Sequence, residues 1–174
     1  MIKYKELINK TMPPDKKAKA SRCIIGHYLI RLISNIISIP LIERKVIPVT
    51  VTILSGFFVL IAYVPFSFIS GGVGFWIGWL SILIWNILDG VDGNIARYNN
   101  QCSGMGELWD AAVGWFATIT FYVGMGYVAY YHPGGLFNEI CLPNTVYLIL
   151  GFVSSMCWIF PRLVMHKKKA IMGE

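Results

Sequence analysis

The longest uncharged stretch of the sequence runs from Val46 to Leu88 and contains no Asp, Glu, Lys or Arg. At about 1.5 Å per residue, a helix of that length could cross a hydrocarbon core of about 30 Å twice. The segment 66-FSFISGG-72 offers a turn in its middle. The pattern therefore predicts two membrane spans, near residues 46–65 and 72–88.

Two further apolar stretches follow. One covers residues 111–131 and extends back to about residue 106, and the other covers about 145–161; the loop 132-HPGGLFNEICLPN-144 separates them. Only 14% of the residues are charged, whereas a soluble domain has about a quarter. We therefore expect an all-α integral membrane protein with four transmembrane helices, which form one membrane domain over residues 46–161.

An amphipathic helix is predicted before the first span, over residues 23–45. Its Ile, Leu and Tyr side chains recur at nearly the helical period and form one apolar stripe. The polar residues fall on the other side: His27, Arg31, Ser34, Asn35 and Ser38. Arg31 in the middle favours a helix that lies in the membrane interface over a further span.

Both ends of the chain are basic. Residues 1–22 are Lys-rich and include Pro13-Pro14, which predicts a partly disordered tail, and residues 162–174 form a second basic tail. Because the loops on the opposite side carry no Lys or Arg, the positive-inside rule places the tails in the cytoplasm, most simply at a cell (inner) membrane. The net charge of +6 then indicates anionic lipid headgroups, not nucleic acid, as partners. The four scattered cysteines indicate neither a disulfide framework nor a zinc site.

Acidic side chains stand next to these apolar runs. Asp89 and Asp92 share a helix face with the small residues Gly93 and Ala96, and Asp110 opens the third span. An antiparallel pair of helices would bring the three aspartates together. Three carboxylates near a low-dielectric boundary need protons or cations to neutralise them. Hard oxygen ligands suit Mg²⁺ or Mn²⁺, so the residues predict a divalent-metal site for a diphosphate. The alternative is that each acid merely caps or solvates a helix end.

The spacing is more specific than an acidic cluster. The pattern Asp89-x2-Asp92-Gly93-x2-Ala96-Arg97-x8-Gly106-x3-Asp110 resembles the signature of the CDP-alcohol phosphotransferase (CDP-alcohol phosphatidyltransferase) family. Seven of that signature's eight positions are present. Upstream, Pro48 and Thr52 are similar to a family motif that opens the first span, with Val49 in place of its Asn. The resemblance covers roughly residues 30–130.

The resemblance implies transfer of a substituted phosphate from a CDP-linked alcohol to an acceptor hydroxyl, with release of CMP, in phospholipid synthesis. Asp89, Asp92 and Asp110 would hold two Mg²⁺ or Mn²⁺ ions and the diphosphate. Gly93 would admit the nucleotide, and Arg97 would support the site or bind phosphate. The other implied nucleotide-site residues are Thr52, Ala96 and Gly106. The implied donor is CDP-diacylglycerol, the acceptor alcohol stays open, and a homodimer is expected.

The sequence departs from the family pattern in two ways. Gly114 stands where the family has a fourth aspartate, the proposed general base, and such a base contributes about 10²–10⁴-fold to a rate. Glu107, on roughly the same face, is the candidate substitute, beside Asp110 as a catalytic residue. In addition, the family usually has six membrane helices, whereas this sequence accounts for four. The difference suggests a short homologue, a truncated product or one part of an assembly.

Three other function classes remain. One is a catalytically impaired homologue that binds CDP-alcohol or metal, or that serves as a partner subunit. Another is an intramembrane prenyltransferase, which also uses Asp-rich helices; the Gly93, Ala96-Arg97 and Gly106 spacing argues against it. The last is a transporter or channel, which the absence of an acid at mid-membrane disfavours.

Overall fold

The computed structural model describes residues 4–11, 29–69, 72–131 and 143–172. Within these ranges the chain is helical and has no β-strand, which confirms the predicted all-α fold. The described residues form six helices: α1 (Tyr4–Thr11), α2 (Arg31–Glu43), α3 (Pro48–Phe68), α4 (Gly72–Tyr98), α5 (Gly104–Tyr131) and α6 (Asn144–Met172).

Four of these helices, α3 to α6, are long and apolar enough to cross a membrane, as the sequence predicted. Their ends differ from the expected ones. Helix α4 continues past Leu88 to Tyr98, so Asp89 and Asp92 lie within a helix and not at its end. Helix α6 contains Pro161 and still runs to Met172, through most of the expected C-terminal tail.

The chain divides into two compact units, and the first comprises Met1–Phe58 and Leu83–Val113. Its buried apolar core draws on α1, α2, α3 and α4: Leu7, Ile42, Val51, Val91 and Ile95. The sequence predicted a partly disordered tail at residues 1–22, but residues 4–11 form a helix in which Leu7 is fully buried. The Tyr98 hydroxyl donates to Glu6 Oε1 at 2.9 Å, and Lys10 Nζ lies 4.3 Å from the centre of the Tyr98 ring. Helix α1 therefore packs against the end of α4.

Helix α2 turns its polar side towards the protein. Ser34, Asn35 and Ser38 are buried, whereas Leu32 and Ile36 of the apolar stripe are exposed. The Ser34 hydroxyl lies 2.8 Å from the carbonyl oxygens of Ile30 and Ile87, and the second contact links α2 to α4. Of the predicted helix over 23–45, residues 23–28 lie outside the described part of the chain.

The connection from α4 to α5 is a tight turn. Asn100 has a φ of 56°, the left-handed conformation that Asn adopts more readily than most residues. Gln101 N donates to the Ala96 carbonyl at 2.8 Å and so closes the end of α4. Ser103 then caps α5, because its hydroxyl accepts from Gly106 N at 3.1 Å. The turn lets the beginning of α5 lie beside the end of α4.

The second unit comprises Val59–Ile82 and Gly114–Glu174, and glycines permit close helix packing within it. The buried ring of Phe66 lies against Gly78 and Gly124, where an added Cβ would come within 2.7 Å and 2.6 Å of ring atoms. A Cβ on Gly151 would lie 2.7 Å from the Tyr122 carbonyl oxygen. Small residues at such contacts let helices of a membrane protein approach backbone to backbone.

Candidate active site

The most buried acid of the predicted site is Asp92, which is 5% exposed. Thr52, on α3, is 6% exposed, and its hydroxyl lies 2.5 Å from Asp92 Oδ2. The same hydroxyl is 3.3 Å from the Pro48 carbonyl oxygen. Because a threonine hydroxyl has a single proton, the short contact identifies Asp92 as its main acceptor. Thr52, which the resemblance assigned to the nucleotide, thus directly holds one of the aspartates.

The three predicted aspartates lie together. The carboxyl groups of Asp89 and Asp110 are within hydrogen-bonding reach of each other, and Asp92 is within electrostatic range of both. Asp89 is partly buried and Asp110 is exposed. Two carboxylates at such a distance repel each other unless a proton or a cation lies between them.

A cleft of about 690 Å³ opens beside this acid cluster. It is bounded by the start of α3, the last turns of α4, the connecting turn and the start of α5. The predicted site residues among those that line it are Thr52, Asp92, Gly93, Ala96, Arg97, Gly106, Glu107 and Asp110. Asp89 does not line the cleft but interacts with Asp92 and Asp110, which do. The structure thus brings eight of the nine predicted site residues to one cleft and places the ninth, Asp89, beside two of them.

Arg97 supplies positive charge to this otherwise acidic cleft. Its Nη2 donates to Asn94 Oδ1 at 3.1 Å, and its guanidinium lies over Gly93, where a Cβ would be 3.0 Å from both Nη atoms. Asp92 and Asp110 lie within its electrostatic range, and so does the like charge of Arg31. The side chain nearest to Gly93 is therefore that of Arg97, so the glycine gives room to the arginine as well as to any ligand.

The sequence did not identify the polar residues that hold Arg97. Asn94 is 6% exposed, and its Nδ2 donates to Asn35 Oδ1 at 2.9 Å and to Ser38 Oγ at 3.2 Å. The available signal was a polar residue inside the Asp-Gly-x-x-Ala-Arg segment. It went unused because Asn35 and Ser38 were predicted only to lie on the polar side of an interfacial helix, with no partner in the protein assigned to them.

The residues fit a divalent cation by chemistry. Among the residues that the structure describes, no three acidic, His or Cys side chains have the mutual arrangement of a formed metal site. The donor set nevertheless consists of hard carboxylate oxygens, and the close approach of Asp89 to Asp110 calls for positive charge between them. One or two carboxylates together with substrate phosphates is how proteins commonly bind Mg²⁺.

Glu107 and Gly114 are the two positions at which the sequence predicts, or lacks, a general base. Glu107 is exposed in the first turn of α5 and lines the cleft with Asp110. Gly114 follows Asp110 by one helical turn. A Cβ added at Gly114 would meet no atom within 4 Å in the part of the chain that the structure describes, so those residues leave room for a side chain there.

Four apolar helices, beside a cleft that the carboxylates of Asp92, Glu107 and Asp110 line, indicate an integral membrane protein. The family model for CDP-alcohol phosphatidyltransferases matches residues 45–172. The chain belongs to this family of transferases, which use a CDP-alcohol donor in phospholipid synthesis and generally depend on a divalent metal. The search of curated proteins found no significant match, and the search of solved structures found none either.

Proposed function

We propose that this protein transfers a phosphatidyl or similar substituted phosphate from a CDP-alcohol to an acceptor alcohol and releases CMP, with Mg²⁺ or Mn²⁺ as cofactor. One observation carries the proposal: Asp89, Asp92 and Asp110 approach one another beside a cleft that Arg97 also lines. An acidic cluster with one fixed cation suits a diphosphate, because carboxylates recruit divalent ions and arginine binds phosphate oxygens directly.

In this proposal the three aspartates hold the metal ions, and Thr52 keeps Asp92 in position. Bound divalent ions would neutralise the diphosphate and stabilise the charge on the departing CMP. Arg97 binds a phosphate oxygen of the donor. Gly93, Ala96 and Gly106 have no side chain or only a methyl group, and so they leave space in the cleft for the nucleotide.

The reaction is a displacement at phosphorus. The acceptor oxygen forms a bond to the phosphorus that carries the lipid or alcohol, and the bond from that phosphorus to the CMP oxygen breaks. CMP leaves with the bonding electrons, and the acceptor hydroxyl loses its proton. We propose Glu107 as the group that takes this proton, because it is exposed on the same cleft as Asp110.

A second candidate follows from Gly114, which has no side chain to accept a proton. In that case the protein binds a CDP-alcohol and metal, or supports a partner subunit, with little or no turnover.

For the transferase, we further propose CDP-diacylglycerol as the donor, two metal ions, a homodimer, and an active site and termini that face the cytoplasm. We also propose that residues 23–45 form an interfacial helix and that residues 46–161 form the catalytic domain.

The test is CMP release by the purified full chain in detergent, with Mg²⁺ or Mn²⁺ and either CDP-diacylglycerol or small CDP-alcohols. Asp89→Asn should abolish release. Glu107→Gln should lower kcat about 10²–10⁴-fold if Glu107 is the base. Asn86→Leu, a change at an exposed residue of α4, is the control.

Gly114→Asp separates the two candidates. Release by the unaltered chain that is lost in Asp89→Asn establishes the transferase. Release only after Gly114→Asp establishes a binding site without its base. No CMP release and no CDP binding by either protein would refute both candidates.

A further inference from the structure

We infer that Asn94 is a positioning residue that sets the guanidinium of Arg97 in the nucleotide cleft and ties it to helix α2. This inference rests on the proposed function, because it concerns how Arg97 is presented to a phosphate. It is carried by a chain of buried hydrogen bonds that runs from α2 through Asn94 to the cleft.

The orientation of the Asn94 amide is fixed by its neighbours. The Ser38 hydroxyl lies 2.6 Å from the Ser34 carbonyl oxygen and donates its one proton there, which leaves it free to accept from Asn94. The oxygen of Asn35 also requires a donor. Asn94 must therefore point its NH₂ group towards α2 and its oxygen towards Arg97, since a carboxamide has only one acceptor oxygen.

Arg97 needs such an anchor because of its surroundings. Arg31 repels it, whereas Asp92 and Asp110 attract it towards the acids. Its Nε is buried and has no hydrogen-bond partner among the described residues. The bond from Nη2 to Asn94 and the open space above Gly93 together select one position for the guanidinium. Without the bond, Arg97 would be free to move towards the aspartates and would compete with the divalent cation.

Asn94 and its two partners on α2 are buried, which explains how Asn94 can hold the Arg97 guanidinium in one position. Asn94, Asn35 and Ser38 are at most 6% exposed, so water does not compete for their hydrogen bonds. An arginine that is already held in place loses less conformational entropy when a phosphate binds. Asn94 therefore acts on the ligand only through Arg97.

The experiment is a double-mutant cycle read out by CDP affinity, measured by calorimetry on the full chain in detergent with Mg²⁺. We expect Asn94→Leu to weaken CDP binding about tenfold, as for the loss of a hydrogen bond to a charged group. In the Arg97→Gln background the same change should have no further effect. Asn94→Asp keeps an acceptor for Arg97 but loses the NH₂ donor to α2, so it should retain more CDP affinity than Asn94→Leu while lowering the midpoint of thermal unfolding.

Two controls separate positioning from stability. Asn86→Leu changes an exposed residue of the same helix and should leave CDP affinity unchanged. Asn35→Leu removes one α2 partner of Asn94 but leaves the Arg97 contact, so it should lower the midpoint of thermal unfolding with a smaller loss of CDP affinity. Asn94→Ala replaces the leucine variant if that protein does not fold.

The possible results are distinct. If the effects of Asn94→Leu and Arg97→Gln on affinity add, Asn94 affects CDP binding by a route other than Arg97 and the inference is overturned. If Asn94→Leu binds CDP as tightly as the unaltered chain does, Asn94 acts on folding alone and the inference is also overturned. If the unaltered chain binds no CDP, the proposed function itself fails, and the inference fails with it.

Discussion

The bond between Thr52 and Asp92 offers the most direct test of the site. Thr52→Val keeps the shape of the side chain and removes the only group that donates to Asp92 Oδ2 from α3. Both residues are at most 6% exposed, so water cannot easily replace the lost donor. A hydrogen bond to a charged group contributes about 1.5–3 kcal/mol, and we expect the free energy of unfolding to fall by that amount.

That loss corresponds to a measurable change in unfolding temperature. For a chain of this size, about 1 kcal/mol shifts the midpoint by about 2–4 °C, so Thr52→Val should unfold roughly 3–12 °C lower in detergent. Thr50→Val is the matched control, because Thr50 is exposed on the same helix and its change should shift the midpoint by less than about 1 °C.

The same Thr52→Val substitution, made in the Asp92→Asn protein, tests whether Asp92 is the hydrogen-bond partner of Thr52. In Asp92→Asn the acceptor is neutral, and a neutral hydrogen bond contributes only about 0.5–1.5 kcal/mol. Thr52→Val should therefore cost less in that background than in the unaltered chain. Equal costs in both backgrounds, or a Thr52→Val midpoint equal to that of the Thr50→Val control, would refute the assignment of Asp92 as the partner.

Three further predictions can be tested with the same preparation. Gly93→Ala would place a Cβ 3.0 Å from both Nη atoms of Arg97, so CDP affinity should fall several-fold in calorimetry while the unfolding midpoint stays within about 2 °C; an unchanged affinity would contradict the close packing. Gly151→Ala would bring a Cβ to 2.7 Å from the Tyr122 carbonyl oxygen, and because backbone cannot move aside, it should cost about 1–3 kcal/mol of stability. Gly72→Ala, whose Cβ would meet no atom of the described residues within 4 Å, is the control and should cost nothing comparable. Chelation of divalent ions by EDTA should abolish CMP release or CDP binding, and Mg²⁺ or Mn²⁺ in excess should restore it; activity that survives chelation would exclude the proposed role of the aspartates.

Helix α1 shows where sequence reasoning was incomplete. The first residues are Lys-rich and precede two prolines, which is the composition of a tail. The structure nevertheless places Leu7 fully buried in the core of the first unit. Tyr4, Leu7 and Ile8 follow a helical spacing, but the segment is too short for this pattern to outweigh its lysines and the two prolines. The burial of Leu7 therefore depends on the space that α2, α3 and α4 leave between them.

What the sequence by itself determined is local. The number of membrane helices follows from the length of apolar runs, because a helix in lipid must satisfy its own backbone hydrogen bonds over a fixed thickness. The approach of the three aspartates also follows from spacing: Asp89 and Asp92 share a helix face, and a short turn returns the chain to Asp110. The motif predicts the family, and the match of the family model confirms it; the model covers residues 45–172, further towards the C-terminus than the predicted resemblance over roughly residues 30–130.

Only the tertiary structure decided which partners the polar side chains meet. Thr52 binds Asp92 on another helix, and helix α2 presents Asn35 to Asn94 while its Leu32 and Ile36 are exposed. The physical reason is that lipid and water act differently on an amphipathic helix. In water an amphipathic helix buries its apolar side, but beside lipid that side gains nothing by moving inward, and the polar side chains must find their hydrogen bonds within the protein.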